Sequence, residues 1–405
     1  MVKSPNLNEQ MDIISKGTEE IIIIEELEKL IDKSIINNKS LNIKFGCDPS
    51  MPDLHLGHSV VLRKLKNFQD LGHNCTLVIG DFTAMIGDPT GKNKTRPQLT
   101  EEQAKKNAAT YIEQASLILD LSKLNIVNNS DWLNQLNFSE LIKLSSKYSV
   151  ARMLERDDFS KRYNNGNTIS LHEFLYPLAQ AYDSVILKTH IELGGTDQKF
   201  NLLVGRDIQK AYDIFPQCII TMPILEGTDG KNKMSKSYDN YIRLIDNPND
   251  MYGKLLSIPD DLIIRYYKLL TNISDKVDNM ENDYKAGLIN PRDLKRDLAI
   301  MIVSDFYDIE SARKAQKSFD DLFVHKKNPV DMPKYIVSEK NELILAIMKK
   351  NKLIGSNSEG KRLILQGAVT LDGEKIDSPA SKLQSNSNEQ ILKIGKRRFL
   401  KIIIN

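Results

Sequence analysis

Leu41-Asn42-Ile43-Lys44-Phe45-Gly46-Cys47-Asp48-Pro49, followed by Leu54-His55-Leu56-Gly57-His58 and then Leu62, Leu65 and Phe68, is the stretch that decides the fold. A short apolar run, a Gly/Asp/Pro turn and an apolar stripe at helical spacing read as strand, loop and helix. The same grammar returns around Cys75–Ile79, Ser184–Leu193 and Gln217–Leu225. Such alternation builds a parallel sheet covered by helices, with ligands gathering at the carboxyl ends of the strands. The expectation is therefore an α/β domain over 1–230. Helices with an apolar stripe at Ile23, Leu27, Leu30, Ile31 and Ile35 should precede its sheet, and a helical insertion near 101–165 should interrupt it. No strand-like run follows Lys236 until the C-terminus, so 231–326 reads as all-helical, with helices such as Asp261–Leu270 and Pro291–Phe306. Asn328-Pro329 and Met332-Pro333 give 327–339 linker character, and 340–405 reads as a small α+β module.

The 405 residues are 40% hydrophobic and 27% charged, which excludes a disordered chain or a disulfide scaffold. The longest apolar runs, such as Ile21–Ile24 and Ile402–Ile404, fall far short of the roughly 20 residues a membrane span needs, so no membrane partner is expected. Met1-Val2-Lys3-Ser4-Pro5-Asn6 leads into acidic, helix-compatible sequence without secretory or transit features, and a cytoplasmic protein is expected. Cys47, Cys75 and Cys218 are widely spaced, without a CxxC, and read as reduced thiols. The net charge of +2 hides an asymmetry: residues 341–405 carry twelve Lys or Arg against six acids, a balance of +6. A polyanion such as RNA should dock at that end.

The helix start at His55 is an anion site, because unpaired N–H groups and the helix dipole point at whatever lies there. His55 and His58 add donors on one face, and Gly57 leaves room for a flat base against the backbone. A third ligand is missing, so the pair does not read as a metal site. Downstream, Lys233-Met234-Ser235-Lys236-Ser237 follows the turn Gly227-Thr228-Asp229-Gly230. Two lysines three apart on such a loop can close on a triphosphate as pyrophosphate departs.

Together these segments resemble the two signatures of class I aminoacyl-tRNA synthetases, which implies a Rossmann-type catalytic domain that activates an amino acid with ATP. Ile86–Lys92, Tyr176–Asp183 and Leu193–Gln198 further resemble the tyrosyl-tRNA synthetase family, in its bacterial form. The resemblance implies that His55, His58, Lys233, Lys236 and Lys92, with Arg96 nearby, serve the triphosphate chemistry. It implies that Gly46, Asp48, Gly57, Gly195, Asp197 and Lys236 hold ATP. Asp88, Tyr176, Gln180 and Gln198 are assigned to the ammonium and carboxylate end of tyrosine and Asp183 to its phenolic hydroxyl. Tyr176, Gln180 and Asp183 are spaced four, then three, and so share one helical face. Mg²⁺ is expected with the triphosphate, and no tightly bound cofactor is implied. Many members place a Tyr where this chain has Lys44, which leaves open how the substrate hydroxyl is held beyond Asp183.

The C-terminal module, helix, turn, helix and an Asp372-Gly373 hairpin, resembles the S4 RNA-binding domain, with Lys361, Arg362, Lys396, Arg397 and Arg398 as phosphate contacts. The implied partners are tRNA(Tyr), L-tyrosine, ATP and a second copy in a homodimer. Tryptophanyl-tRNA synthetases share both signatures; Asp183 and the S4-like end argue for tyrosine. An RNA-binding protein on an inactive synthetase frame is the alternative from another class, and the joint presence of His55, His58, Lys233 and Lys236 counts against it.

Overall fold

Six strands form the first sheet: β1 (Glu20–Ile22), β2 (Asn42–Cys47), β3 (Asn74–Ile79), β4 (Leu124–Asn128), β5 (Ile191–Gly195) and β6 (Cys218–Met222). Their order is β1-β6-β5-β2-β3-β4, all parallel except β1, which runs antiparallel beside β6. The computed structural model describes residues 5–90, 99–325, 332–337, 341–383, 389–395 and 398–404. From β2 the chain winds outward to β3 and β4, then returns to β5 and continues to β6 on the other side. The crevice outside the ends of β2 and β5 is therefore the topological switch point, where a doubly wound sheet binds its ligand. This is the expected Rossmann-type α/β arrangement.

Several details differ from the reading of the sequence. The N-terminal segment is two helices, Leu7–Ser15 and Ile24–Ile36, with β1 between them; Leu27 and Ile31 are buried while Ile23 and Ile35 are exposed. The apolar run Ile21–Ile24 thus turns from strand to helix. The 101–165 insertion is not purely helical, because β4 lies within it and extends the sheet beyond β3. β4 is only half-buried, which is why its pattern is weak. Ser184–Leu193 is not one strand: the Leu171–Ile186 helix continues through its start, and β5 begins at Ile191.

Compactness divides the chain into Met1–Arg313 and Lys314–Asn405, so the helices of 248–306 cluster with the first sheet and position 230 is no break in that unit. In the second unit the sheet order is β7 (Lys334–Val337), β11 (Arg398–Ile404), β10 (Glu389–Ile394), β8 (Val369–Leu371), β9 (Glu374–Lys375). β7 falls inside the expected linker and pairs parallel with β11. The β8–β9 turn has positive φ at both Asp372 and Gly373, as a two-residue hairpin requires. Ile344, Ile347, Ile364, Val369, Leu392 and Leu400 are among the residues of this unit's own core.

Candidate active site at the switch point

The Leu56–Asp70 helix begins at the end of β2, and His55 caps it in an extended conformation (φ −135°). The His55 N–H donates to His58 Nδ1 at 3.2 Å, so a neutral His58 carries its proton on Nε2. The two rings lie 4.0 Å apart. Burial, then His58 and the lysines of the downstream loop, holds His55 well below its usual value; burial and Lys236 push His58 down to about 4. Both imidazoles are neutral donors and acceptors rather than cations. A Cβ on Gly57 would lie 3.0 Å from the His55 ring, which accounts for the glycine.

The lysine loop folds back on itself. Met234 N–H donates to Leu225 O at 2.8 Å, Gly227 N–H to Asn232 O at 2.9 Å, and Met234 is buried. Asn240 clasps the loop: its Oδ1 accepts from Ser235 N–H at 2.8 Å, and its Nδ2 donates to Lys233 O at 3.1 Å. The chain just beyond is stitched to the first motif, Leu56 N–H to Ile242 O at 3.0 Å and Leu244 N–H to Leu54 O at 3.1 Å. Both signatures therefore share one backbone frame. Lys233 pairs with Asp197 at 2.9 Å. Lys236 Nζ is buried and finds no hydrogen-bond partner among the described residues; burial pushes it down to about 8, against the pull of Asp53. Asn240→Ala should lower turnover at this site by about tenfold to a hundredfold by loosening the loop. An unchanged kcat would show that the loop holds its shape without the clasp.

Across the crevice, the Tyr176 hydroxyl donates to Asp48 Oδ2 at 2.8 Å, and Thr83 Oγ1 donates to Asp48 Oδ1 at 2.7 Å. A Cβ on Gly80 would lie 2.1 Å from Asp48 Oδ1, so that close approach needs glycine. Gln198 Nε2 donates to Asp88 Oδ2 at 2.9 Å, while Asp88 Oδ1 accepts from Thr90 N–H and Oγ1 at 2.9 and 2.6 Å. Arg156 stands 3.9 Å from Asp88 and donates to Thr90 Oγ1 and Asn201 Oδ1. Asp183 is buried and accepts from Trp132 Nε1 at 2.8 Å and Asn129 Nδ2 at 3.3 Å. Burial raises its pKa to about 7, with Lys44, Trp132 and Asn129 opposing. Gln180 donates to Glu192 at 3.2 Å, beneath the helix and not toward Asp88. Gly46 lies exposed at the end of β2.

Residues 36–324 match the family described as class I tRNA synthetases of the W and Y type. The chain belongs to this family. A tyrosine–tRNA ligase from Chlorobaculum tepidum is 53% identical over 398 residues, covering 98% of each chain. One from Thermotoga maritima is 51% identical over 97% of each. Among solved structures, a tyrosyl-tRNA synthetase complexed with L-tyrosine from Archaeoglobus fulgidus superposes with a TM-score of 0.62 at 23% identity, over 76% of this chain and 99% of that one. A C-terminally truncated mitochondrial tyrosyl-tRNA synthetase from Aspergillus nidulans gives 0.63 at 23%, over 80% and 95%. At that identity the structural match speaks for the fold.

Of the residues singled out in the sequence, the synthetase fold gathers His55, His58, Asp48, Asp88, Tyr176, Asp183, Asp197, Gln198, Lys233 and Lys236 around the switch point, on elements that converge there. Lys92, Arg96, Lys396 and Arg397 lie outside the described residues. Thr83, Asn129, Trp132, Arg156, Asn201 and Asn240 escaped notice, because each is a single polar residue in a segment with no local pattern. Among the described residues no helix is long and apolar enough to cross a membrane.

Proposed function

We propose that this synthetase is a tyrosine–tRNA ligase. The carboxylate of tyrosine attacks the α-phosphorus of ATP, the bond to the bridging oxygen breaks and pyrophosphate leaves; a ribose hydroxyl of the tRNA 3′ end then attacks the tyrosyl carbonyl and expels AMP. No protein nucleophile is required, so the chain's work is positioning and charge. His55 and His58 offer neutral N–H donors to the phosphates, and Lys236 offers a buried cation with no hydrogen-bond partner among the described residues. Asp88 and Gln198 suit the substrate ammonium, and Gly195 and Asp197 suit the ribose. Mg²⁺ bound to the triphosphate would offset the charge of the departing pyrophosphate; among the described residues no group of three His, Cys, Asp or Glu could hold a metal.

The single observation that carries tyrosine is the buried Asp183 carboxylate, ringed by N–H donors, on the helix face that also bears Tyr176. Tyrosine's O–H completes that acceptor, and the curated relatives compared above are named for tyrosine. ATP–pyrophosphate exchange with each standard amino acid tests it. Exchange with tyrosine alone supports the reading, exchange with tryptophan refutes the role of Asp183, and silence with all leaves an RNA-binding frame.

Residues 340–405 together with β7 are proposed as an S4-like tRNA-binding module, and the helices of 248–306, part of the first unit, as the anticodon side. Lys361 and Arg362 lie exposed on the Asn357–Leu365 helix, whereas Arg398 is occupied by Leu353 O and Glu359. Lys361→Ala with Arg362→Ala should weaken tRNA binding and reduce the slope of log K against log salt by about one to two. An unchanged slope assigns the phosphates elsewhere. A cytoplasmic homodimer is the proposed working form: Phe138, Ile142, Val150 and Leu171 are 54–84% exposed, an apolar load suited to a second copy.

A further inference from the structure

Lys44 stands on β2 facing the Leu171–Ile186 helix, and at 2% exposure it is among the largest fully buried side chains. Its ammonium donates to Ser184 Oγ at 2.6 Å and to the main-chain oxygen of Gln180 at 3.2 Å, and pairs with Glu192 at 2.9 Å. Lys44 and Glu192 are register partners on adjacent parallel strands. Glu192 is in turn held by Ser184, Gln180 and Gln217. Gln180, Asp183 and Ser184 share one helical face, so Lys44 grips the residues on both sides of Asp183. For stability alone an apolar pair would serve as well as a buried ion pair. An apolar pair would neither hold the Gln180 carbonyl nor place a positive charge beside Asp183.

We propose that Lys44 is a positioning residue for tyrosine selection: its buried ammonium locks the Gln180–Ser184 turn and sets a positive charge on the turn that presents Asp183 to the phenolic hydroxyl. This rests on the reading of Asp183 given above. The charged groups facing Asp183 are Lys44 from β2 and Glu192 from β5, which act on its ionisation in opposite directions. On its other side Trp132 and Asn129 are neutral; Asp81 stands behind Ser130 and Asp48 behind Thr83. The Lys199–Ala211 helix directs Lys199 to Glu20, Arg206 to Glu26 and Asp207 to Arg152.

The test is the pH profile of kcat/KM for tyrosine in ATP–pyrophosphate exchange, which reports the free enzyme's groups. Wild type should lose efficiency as pH falls through about 7, where Asp183 takes up its proton. Lys44→Met removes the opposing cation, so the acid limb should move up by about one pH unit and KM for tyrosine at neutral pH rise about tenfold, with KM for ATP unchanged. Glu192→Gln should move the limb down. The double variant Lys44→Met with Glu192→Gln leaves no unpaired buried charge, so it remains measurable if the single variant does not fold; its limb should still move up, by less. A limb unmoved in both Lys44 variants, or displaced in the same direction by Lys44→Met and Glu192→Gln, overturns the proposal. Asp183→Asn separates the two levels. If it leaves KM for tyrosine unaltered, the hydroxyl-acceptor reading falls and the proposal with it; if it is damaging while the Lys44 limb is unmoved, only the proposal falls.

Discussion

Lys236→Ala should lower kcat for tyrosine-dependent ATP–pyrophosphate exchange by about two to three orders of magnitude and leave KM for tyrosine within about twofold. The ammonium is buried, has no hydrogen-bond partner among the described residues and is pushed down to about 8. A cation so placed gains its hydrogen bonds only when phosphate oxygens arrive, so its stabilisation is concentrated where pyrophosphate separates. The active form is protonated, so kcat/KM for ATP should fall as pH rises through about 8. Lys233→Ala should cost less, because Lys233 must first leave Asp197. Single-turnover formation of the adenylate checks both variants; an unaltered rate for Lys236→Ala would remove that residue from the transition state.

Asp183→Asn should lower kcat/KM for tyrosine by about a hundredfold, mostly through KM. The carboxylate offers about four lone-pair positions, and Trp132 and Asn129 occupy two, leaving room for the substrate O–H. An amide in its place sets an NH₂ against surrounding donors and removes the charge that strengthens the bond. Phenylalanine, which leaves a wild-type carboxylate unsatisfied, loses that penalty in the variant, so its activation relative to tyrosine should rise. Competition between the two amino acids in the exchange assay reads this directly. A discrimination ratio equal to wild type would place the hydroxyl elsewhere.

β2 and β3 were legible within two residues because buried strands are short apolar runs between turn signals, whereas the reading of Ser184–Leu193 absorbed the end of a helix whose apolar face runs straight on toward β5. The Pro291–Phe306 helix was legible because Asn290 and Pro291 mark a helix start, and the Asp372-Gly373 hairpin because few residues tolerate its backbone. β4 was not, since a half-exposed edge strand ending in Asn128 lacks both apolar run and clean alternation. β1 hid in an apolar stretch shared between strand and helix, and β7 hid among prolines.

By itself the sequence determined the patterned part of the site's inventory, two histidines at a helix start, two lysines on a loop, and three polar residues on one helical face, because each pattern is local. The tertiary structure alone decided which members are free and which are engaged. Lys233 and Lys236 are alike in sequence, yet one is paired with Asp197 and the other has no such partner among the described residues. Lys44 reads in sequence only as a departure from the family's Tyr, and its partners Gln180, Ser184 and Glu192 emerge when the fold closes them around it. Charge and hydrogen-bond capacity are spent on groups distant along the chain, and only folding brings those groups within reach.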